Sequence, residues 1–124
     1  MTQPAGLLLC DDLIFASRIT NTATAAGAVI KVAKTLDSLL DFARQSMPRC
    51  IIIDLHNRDL DIVRATSVLR MMQPPPFVVG YGSHVDTATL QAARDAGCNI
   101  VWPRSKFTQE LEVSLPTWLK ATED

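Results

Sequence analysis

The sequence has few of the features that mark membrane, secreted or nucleic-acid-binding proteins. Its charges nearly cancel, with 12 basic and 13 acidic residues and a net charge of −1, so no broad attraction to nucleic acid or to an anionic membrane is expected. The apolar runs at 6–10 and 50–53 are far shorter than the roughly 20 residues that span a bilayer. The first residues lack the basic start and apolar stretch of a signal peptide. We therefore expect a cytoplasmic protein.

Cysteine is also scarce. Cys10, Cys50 and Cys98 are an odd number, and no two of them have CxxC spacing. Each lies in or beside an apolar segment, which favours buried, reduced thiols over disulfide bonds or zinc ligands. This reading agrees with a cytosolic location.

What the sequence does contain is a regular alternation of short apolar runs and helical periodicity. Its 124 residues, 48% of them apolar, are enough for one domain, which we place at 1–124 with no output domain. Strands are predicted at 6–10, 28–33, 50–54, 77–81 and 99–102. Helices are predicted from 13 to about 26, from the cap Thr35, at 60–72, from the cap Asp86 to 96, and from 105, with a kink or break at Pro116. The alternation predicts an α/β fold: a parallel sheet with helices on both faces.

Acidic residues follow two of the predicted strands. Asp11 and Asp12 come directly after the first strand, and Asp54 ends the third. The carboxyl ends of parallel strands share one sheet edge, so we expect these carboxylates to converge there. Carboxylates that converge repel one another unless a cation lies between them, and oxygen ligands favour Mg²⁺. The sequence therefore predicts a weak Mg²⁺ site. Alternatively, the first two acids only cap a helix and the third only ends a strand.

Three segments, LLLCDD, CIIIDL and AARDAGCNIV, resemble the receiver domains of two-component response regulators. They are similar to the family's first strand with its acidic pair, to its third strand with the phospho-accepting aspartate, and to its fourth helix, glycine turn and fifth strand. The resemblance covers nearly the whole chain. It implies a flavodoxin-like, doubly wound sheet of five parallel strands in the order 2-1-3-4-5, with five helices.

The resemblance also implies roles for particular residues. Asp54 would accept a phosphoryl group from a histidine kinase or another phosphodonor. Asp11, Asp12, Asp54 and the backbone carbonyl of His56 would bind Mg²⁺. Such a domain is a signalling switch in a phosphorelay rather than an enzyme. It would act on an unknown downstream protein through the face formed by the fourth helix, fifth strand and fifth helix, and it could form a homodimer.

The chain departs from the family at three places. Asp54 is followed by Leu55-His56-Asn57-Arg58 rather than by the family's Met-Pro, and the other two departures concern the phosphoryl site. Counting back from Gly97 puts Gly82 where the family has a Thr or Ser that binds the phosphoryl group, with Ser83 next to it. Counting forward without gaps puts Arg104 at the family's lysine, whereas alignment on the proline puts Trp102 there. We prefer Arg104 because it keeps a cation opposite the acids, and we predict Asp54, Ser83 and Arg104 as phosphoryl-site residues. The alternative function is a pseudo-receiver, a constitutive interaction module that never turns over phosphate.

Overall fold

The computed structural model describes residues 4–120, in which five strands and five helices alternate. The strands are β1 (Gly6–Leu9), β2 (Ile30–Ala33), β3 (Cys50–Asp54), β4 (Phe77–Gly82) and β5 (Ile100–Pro103). The helices are α1 (Leu13–Ala25), α2 (Leu36–Ser46), α3 (Ile62–Arg70), α4 (Thr87–Ala96) and α5 (Arg104–Trp118). All strands are parallel and lie in the order β2-β1-β3-β4-β5. The predicted fold class and strand order are confirmed.

Short polar side chains set where the first four helices begin. Asp12, Thr35, Asp61 and Asp86 are the N-caps of α1 to α4, and each accepts hydrogen bonds from backbone amides of the first turn. These amides have no partner within a helix, so a side-chain oxygen that accepts from them fixes the helix start. Gly97 ends α4 with φ +106°, in the left-handed region that glycine tolerates best.

Side chains that alternate along the strands divide the core between the two faces of the sheet. Helices α2, α3 and α4 cover one face, where the strands contribute Leu7, Leu9, Ile51, Ile53, Val78 and Val101. Helices α1 and α5 cover the other, where the strands contribute Leu8, Cys50, Ile52, Val79 and Tyr81, and where Cys10, directly after β1, also packs. Both faces of the central strands are therefore buried, which explains why β1 and β3 are apolar almost throughout.

Two helices differ from the sequence prediction. Helix α3 begins after its cap Asp61 rather than at Leu60, and its apolar Val63 is 62% exposed. Helix α5 continues through Pro116 to Trp118, so the predicted break is wrong, whereas the alternative, a kink at this proline, stays a prediction. Proline removes one backbone hydrogen bond, but Leu115 and Trp118 are buried and hold the last turn against the sheet.

The three cysteines are free thiols, as expected. Cys10 and Cys50 are buried, whereas Cys98 is only partly buried. Burial raises the pKa of Cys98 to about 11, so this thiol stays protonated and unreactive at neutral pH. Within residues 4–120, no helix combines the length and apolar character needed to cross a membrane.

Candidate functional site

Asp54 is the last residue of β3 and is only 4% exposed. Its neighbour in the sheet is Tyr81, which lies on the face covered by α1 and α5. One carboxylate oxygen, Oδ1, accepts a hydrogen bond of 2.9 Å from the backbone N–H of His56. The other, Oδ2, lies 3.7 Å from the thiol of Cys10. The side chain is thus held in one orientation, with Oδ2 contacted by side chains rather than by backbone.

Two protonated groups lie next to this carboxylate: the thiol of Cys10 and the hydroxyl-bearing side chain of Tyr81, its neighbour in the sheet. The hydroxyl of Tyr81 donates to Cys10 Sγ at 3.5 Å. Burial raises the pKa of Tyr81, and the negative charge of Asp54 raises it further. Burial also raises the pKa of Cys10. Both groups therefore stay neutral and serve as hydrogen-bond donors, which suits a site that accommodates a buried negative charge.

Arg104 is the cation that lies opposite Asp54. Its Nη2 is 3.9 Å from Asp54 Oδ2, and its side chain is 45% exposed. The guanidinium carbon lies 5.0 Å from the ring centre of Phe15 and 5.8 Å from that of Tyr81. Contact with aromatic faces restrains a guanidinium that would otherwise sample many rotamers. The first residue of α5 thus presents a positioned cation at the carboxyl edge of the sheet.

Trp102, the alternative in the sequence alignment, lies elsewhere. Its ring is 5.5 Å from that of Trp118, and the ammonium of Lys106 lies 5.0 Å from its centre. The register of β4 and β5 explains the difference, because it pairs Tyr81 with Trp102 and leaves Arg104 beyond the strand end. The structure therefore places Arg104, and not Trp102, beside Asp54.

The acidic pair after β1 is exposed. Asp12 Oδ1 accepts from the backbone N–H groups of Ile14 and Phe15, both at 3.1 Å, and so caps α1. Within residues 4–120, no group of three or more His, Cys, Asp or Glu side chains lies close enough together to hold a metal ion. The three-carboxylate Mg²⁺ site thus stays a prediction. The proposed donors are all carboxylate or carbonyl oxygens, which are the ligands that Mg²⁺ prefers, and this ion commonly uses only one or two carboxylates and keeps several waters.

Ser83, the third predicted phosphoryl-site residue, directs its hydroxyl into its own loop. Ser83 Oγ accepts from the N–H of Val85 at 3.3 Å, and the Ser83 N–H donates to Nε2 of His56 at 3.1 Å. A cavity of about 300 Å³ adjoins the site and is lined by His56, Ser83, His84 and Arg104. Asp54 itself does not line this cavity, which borders the site at His56 and Arg104.

Sequence reasoning missed the residues that fix the loop after β3. The Nδ2 of buried Asn57 donates to the carbonyl of Lys34 and to Asp59 Oδ1, both at 3.0 Å. Asp59 Oδ2 in turn accepts from the N–H of Leu36, at the start of α2. The contacts with Lys34 and Leu36 join residues 23 positions apart, and no local pattern in the sequence predicts them. They anchor the loop that carries the His56 amide and so help to orient Asp54.

Comparisons with known proteins agree with the fold. No protein-family model and no curated protein matches the chain. Among solved structures, it is similar to the signal receiver domain of a LuxO-type protein from Vibrio parahaemolyticus, with a TM-score of 0.80 and 19% identity over 98% of this chain and 94% of that one. It is also similar to the receiver domain of NtrX from Brucella abortus, with a TM-score of 0.79 and 18% identity over 94% and 99% of the two chains. The chain therefore has the fold of response-regulator receiver domains.

Proposed function

We propose that the chain is a cytoplasmic receiver domain in a phosphorelay, and that Asp54 accepts the phosphoryl group. The observation that carries this proposal is the pairing of a buried carboxylate at the end of β3 with a positioned cation. Asp54 is 4% exposed, and Arg104, which lines the cavity, lies 3.9 Å from it. A carboxylate kept in this position is poorly explained by stability alone, since burying a charge is costly.

The same geometry supports the chemistry of phosphoryl transfer. Asp54 Oδ2 attacks the phosphorus of the donor, the new O–P bond forms, and the bond from phosphorus to the leaving group breaks with its electron pair on that group. The leaving group is acetate for acetyl phosphate or an imidazole for a phosphohistidine. Meanwhile Oδ1 stays on the His56 N–H. Because a guanidinium presents parallel N–H donors, Arg104 can hold two phosphoryl oxygens.

The carboxylates of Asp11 and Asp12, with Asp54 and the backbone carbonyl of His56, are the groups we propose to hold Mg²⁺. When bound, the ion neutralises charge that develops on the transferring group. The phosphodonor would be a histidine kinase or another phosphodonor protein. Downstream recognition would use the face formed by α4, β5 and α5, where the partly buried Trp102 and the exposed Lys106 lie. Nucleic acid is not a proposed partner.

The runner-up is a pseudo-receiver, and one observation favours it. Gly82 carries no hydroxyl, and the hydroxyl of Ser83 is bonded to the Val85 amide rather than turned towards Asp54. In that function the site would keep its shape without accepting phosphate, and binding to the downstream protein would be constitutive.

Incubation with acetyl phosphate and Mg²⁺, followed by intact-mass measurement, separates the two functions. We expect the mass of one phosphoryl group to be added to the wild-type chain and not to the Asp54→Asn variant. A wild-type chain that stays unmodified would support the pseudo-receiver. Labelling that persists in Asp54→Asn would place the acceptor elsewhere.

A further inference from the structure

The end of β4 contains a contact between His56 and the loop at 83–86 that the proposed phosphoryl transfer does not use. The imidazole Nε2 of His56 accepts a hydrogen bond of 3.1 Å from the backbone N–H of Ser83. Its Nδ1 lies 3.9 Å from Asp86 Oδ2. A side chain of the loop after β3 therefore contacts both ends of the loop that connects β4 to α4.

Gly82 makes room for this imidazole. A Cβ added at Gly82 would lie 3.2 Å from His56 Nε2 and 3.5 Å from its Cδ2. The first of these distances is tighter than ordinary van der Waals contact. A β-branched residue at this position would crowd the ring further. The imidazole of His56 thus lies where a side chain at position 82 would crowd it.

The loop that His56 contacts leads directly into α4. The N–H of Asp86 donates to the Ser83 carbonyl at 3.1 Å. Asp86 is also the N-cap of α4 and accepts from the N–H of Thr89 at 3.2 Å. On its other side, the backbone of His56 donates to Asp54 Oδ1 at 2.9 Å. A continuous set of contacts therefore runs from Asp54 through His56 and the 83–86 loop to α4.

We propose that His56 is a positioning residue that holds the β4–α4 loop, and that Gly82 makes room for its imidazole. The imidazole fixes the Ser83 amide, and the Ser83 amide fixes the turn that starts α4. A change at Asp54 displaces the backbone of His56, and the side chain of His56 then displaces the 83–86 loop. This consequence for signalling depends on the proposed function, whereas the hold on the loop does not.

The first test measures amide hydrogen exchange in the unmodified protein in EDTA, so that neither phosphate nor metal is needed. We expect His56→Ala to speed exchange of the Ser83 amide by about fivefold or more, because the loss of one hydrogen bond raises the population of the open loop. His56→Gln should restore protection, since its side-chain oxygen can reach the same amide. His84→Ala is the matched control: its side chain lines the same cavity, and we expect no change. Equal protection of Ser83 in wild type and His56→Ala overturns the proposal.

The second test adds Mg²⁺ and beryllofluoride, which mimics a phosphoryl group on Asp54, and follows the amide shifts of α4. We expect the shifts seen in wild type to shrink at least twofold in His56→Ala and to return in His56→Gln. Undiminished α4 shifts in His56→Ala overturn the link to Asp54. If wild type does not bind beryllofluoride at all, the proposed phosphoryl transfer fails, and the Ser83 exchange result still decides whether His56 holds the loop.

Discussion

Replacement of Arg104 by alanine gives the sharpest test of the proposed site. The guanidinium is 3.9 Å from Asp54 Oδ2, and the phosphorylated aspartate would present more negative charge at the same place. Two unit charges 4 Å apart attract by about 4 kcal/mol at an effective dielectric constant of 20. The Arg104 side chain is 45% exposed, so water screens much of this attraction, and ordering the side chain offsets more of it.

We therefore expect Arg104→Ala to weaken the phosphorylated state by about 1.4 kcal/mol, which is a tenfold loss in beryllofluoride affinity. Acetyl-phosphate labelling, followed by intact mass, should fall in parallel. Arg104→Lys should fall between wild type and Arg104→Ala, because lysine keeps the charge but not the planar donors that grip two oxygens. The contacts of the guanidinium with Phe15 and Tyr81 would also be lost, so melting temperatures should be compared at the same time.

Lys106→Ala is the matched control. Lys106 lies two positions further along α5 and carries the same charge, but its ammonium contacts Trp102 rather than Asp54. We expect little change in beryllofluoride affinity or labelling. If the two alanine variants show equal and small effects, Arg104 does not hold the phosphoryl group, and the pseudo-receiver becomes the better account.

Three further predictions follow from the carboxylates. Asp54→Asn should unfold in EDTA at a temperature no lower than wild type, because the amide keeps an acceptor for the His56 N–H while a buried charge is removed; a marked drop would make Asp54 a structural acceptor. Millimolar Mg²⁺ should alter amide shifts of the residues around Asp54 in wild type but not in the double variant Asp12→Ala/Asp54→Ala, and a response that survives in the variant would remove this metal site. Hydrogen bonds from Thr89 lower the pKa of Asp86 below its ordinary value of 3.8. The charged Asp86 carboxylate therefore stabilises the folded protein above pH 3.8, and this stabilisation is lost as the pH falls through the folded-state pKa. A carboxyl titration by NMR that places Asp86 at or above 3.8 would contradict this.

Much of the fold is readable from the sequence because its determinants are local. The apolar run that ends at Asp54 predicts a doubly buried strand, and the structure has that strand with the same bounds. The caps Thr35 and Asp86 and the glycine at 97 fix helix ends through contacts within a few residues. Pro116 shows the limit of local rules, since its effect depends on how firmly Leu115 and Trp118 are packed.

The position of the acids at the end of β3 and after β1 follows from the sequence, since parallel strands in this order must bring those ends to one edge. Only the tertiary structure decided which side chains face Asp54. Whether Arg104 or Trp102 lies opposite Asp54 depends on the register of β5 against β4. The sequence alone allows two alignments, and these differ in which residue is placed there. The His56 contact with Ser83 and the Cys10 contact with Asp54 join residues 27 and 44 positions apart. Such contacts arise from the packing of distant segments, and no spacing within the chain specifies them.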